Sequence, residues 1–208
     1  MAEGRRLSMQ LTCVLLAVIA LAPILLQSLW QVQWKGFAES LKLSYVPGYY
    51  LGQSRRNRPC ISGSYRNREI HISIDVVDLY STQYLDIFVS IDQPFSRKHP
   101  DGGMFYIGKR PGAARLFEKL SLSDAKPWAG TPYVFVSRPV SLGNAIRLDP
   151  SFQGLIDRRD FVGILLREGR LYFRKKGTHP GRPTLRVLAD QVCDLAEQVE
   201  RYTQSWMR

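Results

Sequence analysis

"CISGSYRNREIHISIDVV", Cys60 to Val77, sets two runs of alternating apolar and polar residues about a short polar tip. Ile70, Ile72, Ile74 and Val76 recur with the period of two that puts every second side chain on one face of a strand. Asn67 stands where a tight turn needs a residue that tolerates positive φ. The stretch therefore predicts a β-hairpin. "YLDIFVSID", from Tyr84, repeats the pattern through Leu85, Ile87, Val89 and Ile91 and extends the hairpin to a three-stranded meander.

Outward from this meander, "MFYIG" (104–108), "PYVFVSRPV" (132–140) and "NAIRL" (144–148) predict further strands, and "FVGILLREGRLYFRKK" (161–176) predicts a hairpin with Glu168 and Gly169 at its tip. Helical spacing marks "RPGAARLFEKLSL" (110–122), with Leu116, Phe117 and Leu120 inward. Asp149-Pro150 supplies an N-cap and first-turn proline for a brief helix carrying Phe152, Leu155 and Ile156. A long C-terminal helix from Thr184 aligns Leu185, Leu188, Val192, Leu195, Val199 and Tyr202 on one stripe. The elements do not alternate as β-α-β units, so residues 31–208 predict a single antiparallel α+β domain.

Ahead of that domain lie a tail, 1–10, and "LTCVLLAVIALAPILLQSLW", Leu11 to Trp30, which carries no formal charge. Twenty helical residues span about 30 Å, the thickness of a bilayer's hydrocarbon, whereas a signal peptide's apolar region is shorter. Pro23 directly after Ala20-Leu21-Ala22 spoils the one cleavage motif. The expectation is an N-terminal transmembrane helix over 11–30, with Trp30, Trp34 and Lys35 at the interface. Arg5 and Arg6 favour an outward-facing domain, against Lys35, Lys42, Arg55, Arg56 and Arg58 on the other side. A prokaryotic cytoplasmic membrane is the expected location. "WKGFAESLKLSYVPG" then forms a short helix leaving the membrane, closed by Pro47-Gly48.

The chain of 208 residues has a net charge of +11, and setting aside Glu3, Arg5 and Arg6 leaves about +10 behind the apolar segment. Such a surface seeks a polyanion, and a tethered domain meets membrane lipid first. A protein partner in a membrane complex is a second candidate, while the tether argues against nucleic acid. Arg55, Arg56, Arg58, Lys109, Arg110, Arg174, Lys175 and Lys176 are the candidate anion- or lipid-binding residues. Lys109 and Arg110 precede a helix N-terminus, where free N–H groups favour an anion.

Standard catalytic signatures are missing: no H-E-x-x-H, G-x-S-x-G, phosphate loop, dinucleotide fingerprint or C-x-x-C. Cys13, Cys60 and Cys193 lack metal-ligand spacing, and Cys60 and Cys193 leave at most one disulfide open. No metal or cofactor is expected. The sharpest chemical constellation pairs 70–77 with 84–91 so that His71 opposes Ser90 and Asp75 opposes Asp86 on the polar face. Opposed carboxylates want a cation, an arginine or a shared proton. His99 and His179 fall in polar loops.

"FAESLKLSYVPG", "ISGSYRNREIHI" and "LADQVCDLAEQVE" give the chain a layout that resembles prokaryotic membrane-anchored α+β domains of unknown function, in which a short helix, a G-x-Y-x-x-R hairpin and a Leu/Ala-rich C-terminal helix recur. The resemblance implies one domain and no catalytic residue. Together these features predict a single-pass membrane protein whose domain is a non-catalytic binding or assembly module with its basic surface near anionic headgroups. The alternative is a metal-dependent or acid/base hydrolase built on His71, Asp75 and Asp86.

Overall fold

A computed structural model describes residues 2–48, 58–76, 83–91, 104–109, 126–128, 131–138, 140–157, 161–177 and 181–205. In chain order the elements are α1 (Ala2–Ser40), β1 (Ser44–Val46), β2 (Cys60–Tyr65), β3 (Arg68–Val76), β4 (Gln83–Ser90), β5 (Met104–Lys109), β6 (Lys126–Pro127), β7 (Tyr133–Arg138), α2 (Val140–Arg147), α3 (Pro150–Ile156), β8 (Phe161–Arg167), β9 (Arg170–Lys176) and α4 (Arg182–Ser205). The expected helix at 110–122, His99 and His179 lie outside the described residues.

The strands form one antiparallel sheet in the order β1-β2-β3-β4-β9-β8-β5-β7-β6. The meander β2-β3-β4 is present, and the late hairpin β8-β9 inserts between β4 and β5, joining the two halves of the sheet. Both predicted hairpins close in two residues: Arg66 and Asn67 have φ of 51° and 60°, Glu168 and Gly169 of 51° and 71°. Positive φ at both central positions matches the right-handed twist of the strands.

Helices α1, α2, α3 and α4 all contribute to the core on one sheet face, where Ile61, Ile70, Ile72, Leu85, Ile87, Val89, Phe105, Ile107, Ile164 and Phe173 are fully buried or nearly so. α4 supplies the predicted Leu185, Leu188, Val192, Leu195 and Val199 to the same core. Asp149 caps α3, its carboxylate accepting from the Phe152 N–H at 3.3 Å and its carbonyl from the Gln153 N–H at 3.0 Å.

The structure corrects three expectations. Among the described residues no helix is long and apolar enough to cross a membrane, so the N-terminal transmembrane helix over 11–30, and with it a single-pass membrane protein, is not sustained. The uncharged run is not a separate element; it lies within the 39-residue α1, whose last turns enter the domain. Trp34, expected at a membrane interface, is 1% exposed in the core beside Phe37 and Ala38. The helix ends where Lys42 takes φ of 57° and the Leu43 N–H donates to the Ala38 carbonyl at 2.9 Å, a Schellman closure with both side chains in the core. "NAIRL" is not a strand: 140–147 is helical, because Leu142 and Ile146 bury at i, i+4 while Leu148, which a strand would place on the same face as Ile146, is 83% exposed.

Cys60 and Cys193 are both free thiols. Cys193 is buried in α4, and Cys60 alternates with the core-facing Ile61, which points it to the other side of the sheet.

Candidate functional site

The face of the sheet opposite the helices carries the polar constellation. β3 and β4 pair with Asp75 opposite Tyr84, Ser73 opposite Asp86 and His71 opposite Phe88, two residues away from the expected register. A slip of two keeps every side chain on its face, so the apolar pattern could not have chosen between the registers. Asp75 and Asp86 are nonetheless joined, by an arginine from the next strand.

Arg174 of β9 lies opposite Asp86 and is 1% exposed. Its Nε and Nη2 donate to the two Asp86 carboxylate oxygens, each at 2.6 Å, and Nη2 also reaches Asp75 Oδ2 at 2.8 Å. Arg58, just before β2, donates to the other Asp75 oxygen. The Arg174 guanidinium carbon sits 5.2 Å from the Tyr84 ring centroid. Burial opposes ionisation of Asp75, but Arg58 and Arg174 outweigh it and hold its carboxyl below the usual range. Burial pushes Asp86 up, against the pull of Arg174. Alternating charges on a sheet face make a structural tie, and both aspartates already have cationic partners.

His71 stacks on Phe88, with centroids 5.2 Å apart and planes 22° apart. Burial lowers its pKa, outweighing Glu69 and Asp86, and favours the neutral ring. It begins a row that crosses six strands in register: His71, Phe88, Tyr172, Leu165, Tyr106 and Val136. Tyr106 lies over Gly108, where a Cβ would come within 2.4 Å of the phenol oxygen, so the glycine makes room for the ring. Sequence reading took this face as polar and missed the row; the period-two spacing of Tyr84, Asp86, Phe88 and Ser90 was its available signal.

The basic candidates disperse. Arg174 is buried between carboxylates, Arg58 pairs with Asp75, and Lys175 is 7% exposed, so none of the three forms a free cationic surface. Lys176 is exposed. Lys109 ends β5, while Arg55, Arg56 and Arg110 lie outside the described residues. Arg66 and Arg68 are matched to α4: Arg66 to Asp194 at 2.6 Å and Glu197 at 2.7 Å, Arg68 to both Glu200 oxygens at 2.5 and 2.7 Å. Tyr65 completes this clamp through Asp190 at 2.5 Å, and burial with that bond pushes its phenol up to about 12. Among the described residues no group of three or more His, Cys, Asp or Glu side chains is arranged to hold a metal.

The most unusual surface is on α1. Leu11, Val14, Leu15, Leu16, Val18, Ile19, Leu21, Leu25, Leu26, Leu29 and Val32 are 47–69% exposed. Consecutive residues sit about 100° apart around a helix, so positions 14–19 cover every side of it, with Val14, Leu15, Leu16, Val18 and Ile19 all outward. Where this length meets the domain, Lys35 is exposed and the Arg182 guanidinium lies against Gly36, with Nη1 3.6 Å from the point a Cβ there would occupy.

No protein-family model matches the chain, and no curated protein does. Among solved structures it is similar to the mycobacterial trehalose monomycolate transport factor A, TtfA, at 10% sequence identity and a TM-score of 0.48, covering 81% of this chain and 91% of that one.

Proposed function

We propose that the protein is a non-catalytic binding module for an anionic lipid surface. The observation that carries this is the exposure of large apolar side chains on every side of α1 at positions 14–19, continued along one face by Leu21, Leu25, Leu29 and Val32. Water-facing apolar patches of this extent mark interaction sites. One partner helix covers a narrow stripe; a fluid lipid surface can take up apolar side chains over a wider arc. Lys35 and Arg182 at its base sit where acidic headgroups would meet them, and each cation near such a surface contributes about 1 kcal/mol. The proposal concerns association with lipid and does not call for a helix that crosses it. The non-catalytic part is supported by Asp75 and Asp86, whose oxygens are engaged by Arg58 and Arg174.

Flotation of the full chain with neutral and with anionic phospholipid vesicles tests this. We expect binding to both, tighter to anionic vesicles, with the excess lost near 1 M salt, where screening acts over about 3 Å. Equal affinity for the two would remove the headgroup role, and no flotation with either would overturn the reading.

A further inference from the structure

The exposed length of α1 leaves the domain at one end of the sheet. Leu43, just past the helix, packs on β2, where a Cβ on Gly63 would lie 2.9 Å from its Cδ2, whereas Gln31 donates from Nε2 to the Gly48 carbonyl at 3.2 Å, beyond the last residue of β1. From Leu43 back to Gln31 the chain therefore climbs the sheet edge toward the end where β1, β3 and β9 finish at Val46, Val76 and Lys176, and the earlier residues of α1 continue past it. The opposite end carries the hairpin tips Arg66-Asn67 and Glu168-Gly169.

The two ends differ in how their cations are matched. At the far end Arg66 faces Asp194 and Glu197, Arg68 faces Glu200, and Arg167 faces Glu168. At the near end Lys176 and Arg182 are exposed, and neither has a carboxylate partner among the described residues. Asp75 and Asp86, in the neighbouring strands, are already taken by Arg58 and Arg174. Arg182 is also the first residue of α4, whose first turn holds no acidic side chain. A cation there works against the helix dipole, a cost that an anion from outside would offset. At the β1 corner of the same end Val46 is 51% exposed.

We infer that this end of the domain rests on the acidic headgroups of the lipid surface that takes up α1, with Lys176 and Arg182 against the headgroups and the two hairpin tips directed away. The inference rests on the lipid-binding reading above and deepens it by fixing which end of the domain meets the lipid. A soluble polyanion would satisfy the two cations but leave Val46 and the apolar length of α1 in water. A lipid surface meets both, because the cationic end is continuous with that apolar length.

The test compares two double variants of the full chain that lower its net charge equally: Lys176→Glu with Arg182→Glu at the near end, and Arg170→Glu with Arg201→Glu at the far end. Each is checked for unchanged far-UV circular dichroism and then floated with neutral and with anionic phospholipid vesicles. The near-end variant is expected to bind anionic vesicles about tenfold or more weakly, since each cation beside acidic headgroups is worth about fivefold in affinity, and to bind neutral vesicles as before. The far-end variant should change by less than about twofold. Lys176→Gln with Arg182→Gln should lose less than the charge reversal and in the same direction, which keeps the test readable if the reversal does not fold. Equal losses at the two ends, or none at the near end, would overturn the assignment. So would weakened heparin binding with unchanged vesicle binding, which would give the cations to a soluble polyanion. The two claims fail separately: an unaltered chain that floats with neither vesicle overturns the lipid reading, whereas a near-end variant that keeps the preference for anionic vesicles overturns the orientation alone.

Discussion

Arg174 shows how a residue's position in the sheet overrides its type. In sequence it belongs to a basic run; in the fold it is 1% exposed, tied to Asp75 and Asp86. Its loss leaves two carboxylates without their shared cation. Arg174→Met is expected to destabilise the fold by about 3 kcal/mol, at the low end for a broken buried pair because Asp75 and Asp86 keep 29% and 22% of their side-chain surface. Urea unfolding measures this, and adding Asp86→Asn should recover part of the loss. Asp75, held below the usual carboxylate range, contributes stability that is present above about pH 4 and lost as pH falls through its lower folded value. Asp75→Asn should therefore flatten the decline of stability at acid pH. His71 acts at milder pH. Its folded pKa is lowered, so its contribution is present above about 6.5 and lost as pH falls below that. Urea midpoints between pH 5 and 7.5 should show a drop on acidification that His71→Phe removes; an identical slope in the variant would refute the assignment. The aspartates and His71 could be singled out from residue type and alternation. The arginine that unites the pair could not, since Arg174 lies 88 residues from Asp86 and the place of β9 beside β4 is a matter of topology.

Among the elements, the hairpin β2-β3 and the helix α4 act as one unit. Arg66 adopts a left-handed φ of 51° that non-glycine residues seldom take, and its guanidinium is held by Asp194 and Glu197. Arg68 and Glu200 are mostly buried and bidentate, whereas Arg186 and Asp190 are 50% and 38% exposed. Double-mutant cycles should therefore give a coupling on the order of 1–2 kcal/mol for Arg68 with Glu200 and at most about 0.5 for Arg186 with Asp190. Equal couplings would contradict the clamp. On the other flank α2 packs tightly against β7, where a Cβ on Gly143 would lie 2.3 Å from Phe135 Cζ and 2.6 Å from Ser137 Cβ. Gly143→Ala is expected to lower stability by about 1–3 kcal/mol through overpacking, read as a lower thermal midpoint. Hairpins were legible because a two-residue turn and period-two alternation are local signals. α2 was missed because its helical signal is the pair Leu142 and Ile146, which "NAIRL" cuts in half.

At the scale of the whole molecule, one sheet face is sealed by helices and the other carries a charged tie and an aromatic row, while α1 projects an apolar length that the domain does not cover. The antiparallel α+β class followed from the order of elements. The insertion of β8-β9 between β4 and β5 did not, because strand order is set by pairings far apart in sequence. The uncharged run at 11–30 was plain in the sequence, but its length said nothing of the longer helix that contains it or of Trp34 serving the core. The proposed binding to lipid rests on the exposed apolar side chains of α1. Its most direct test compares flotation with anionic vesicles of the unaltered chain and of a Leu15→Asp, Ile19→Asp variant whose far-UV circular dichroism and thermal midpoint are unchanged. The unaltered chain is expected to float and the variant to stay behind; equal flotation of the two would overturn lipid binding by α1.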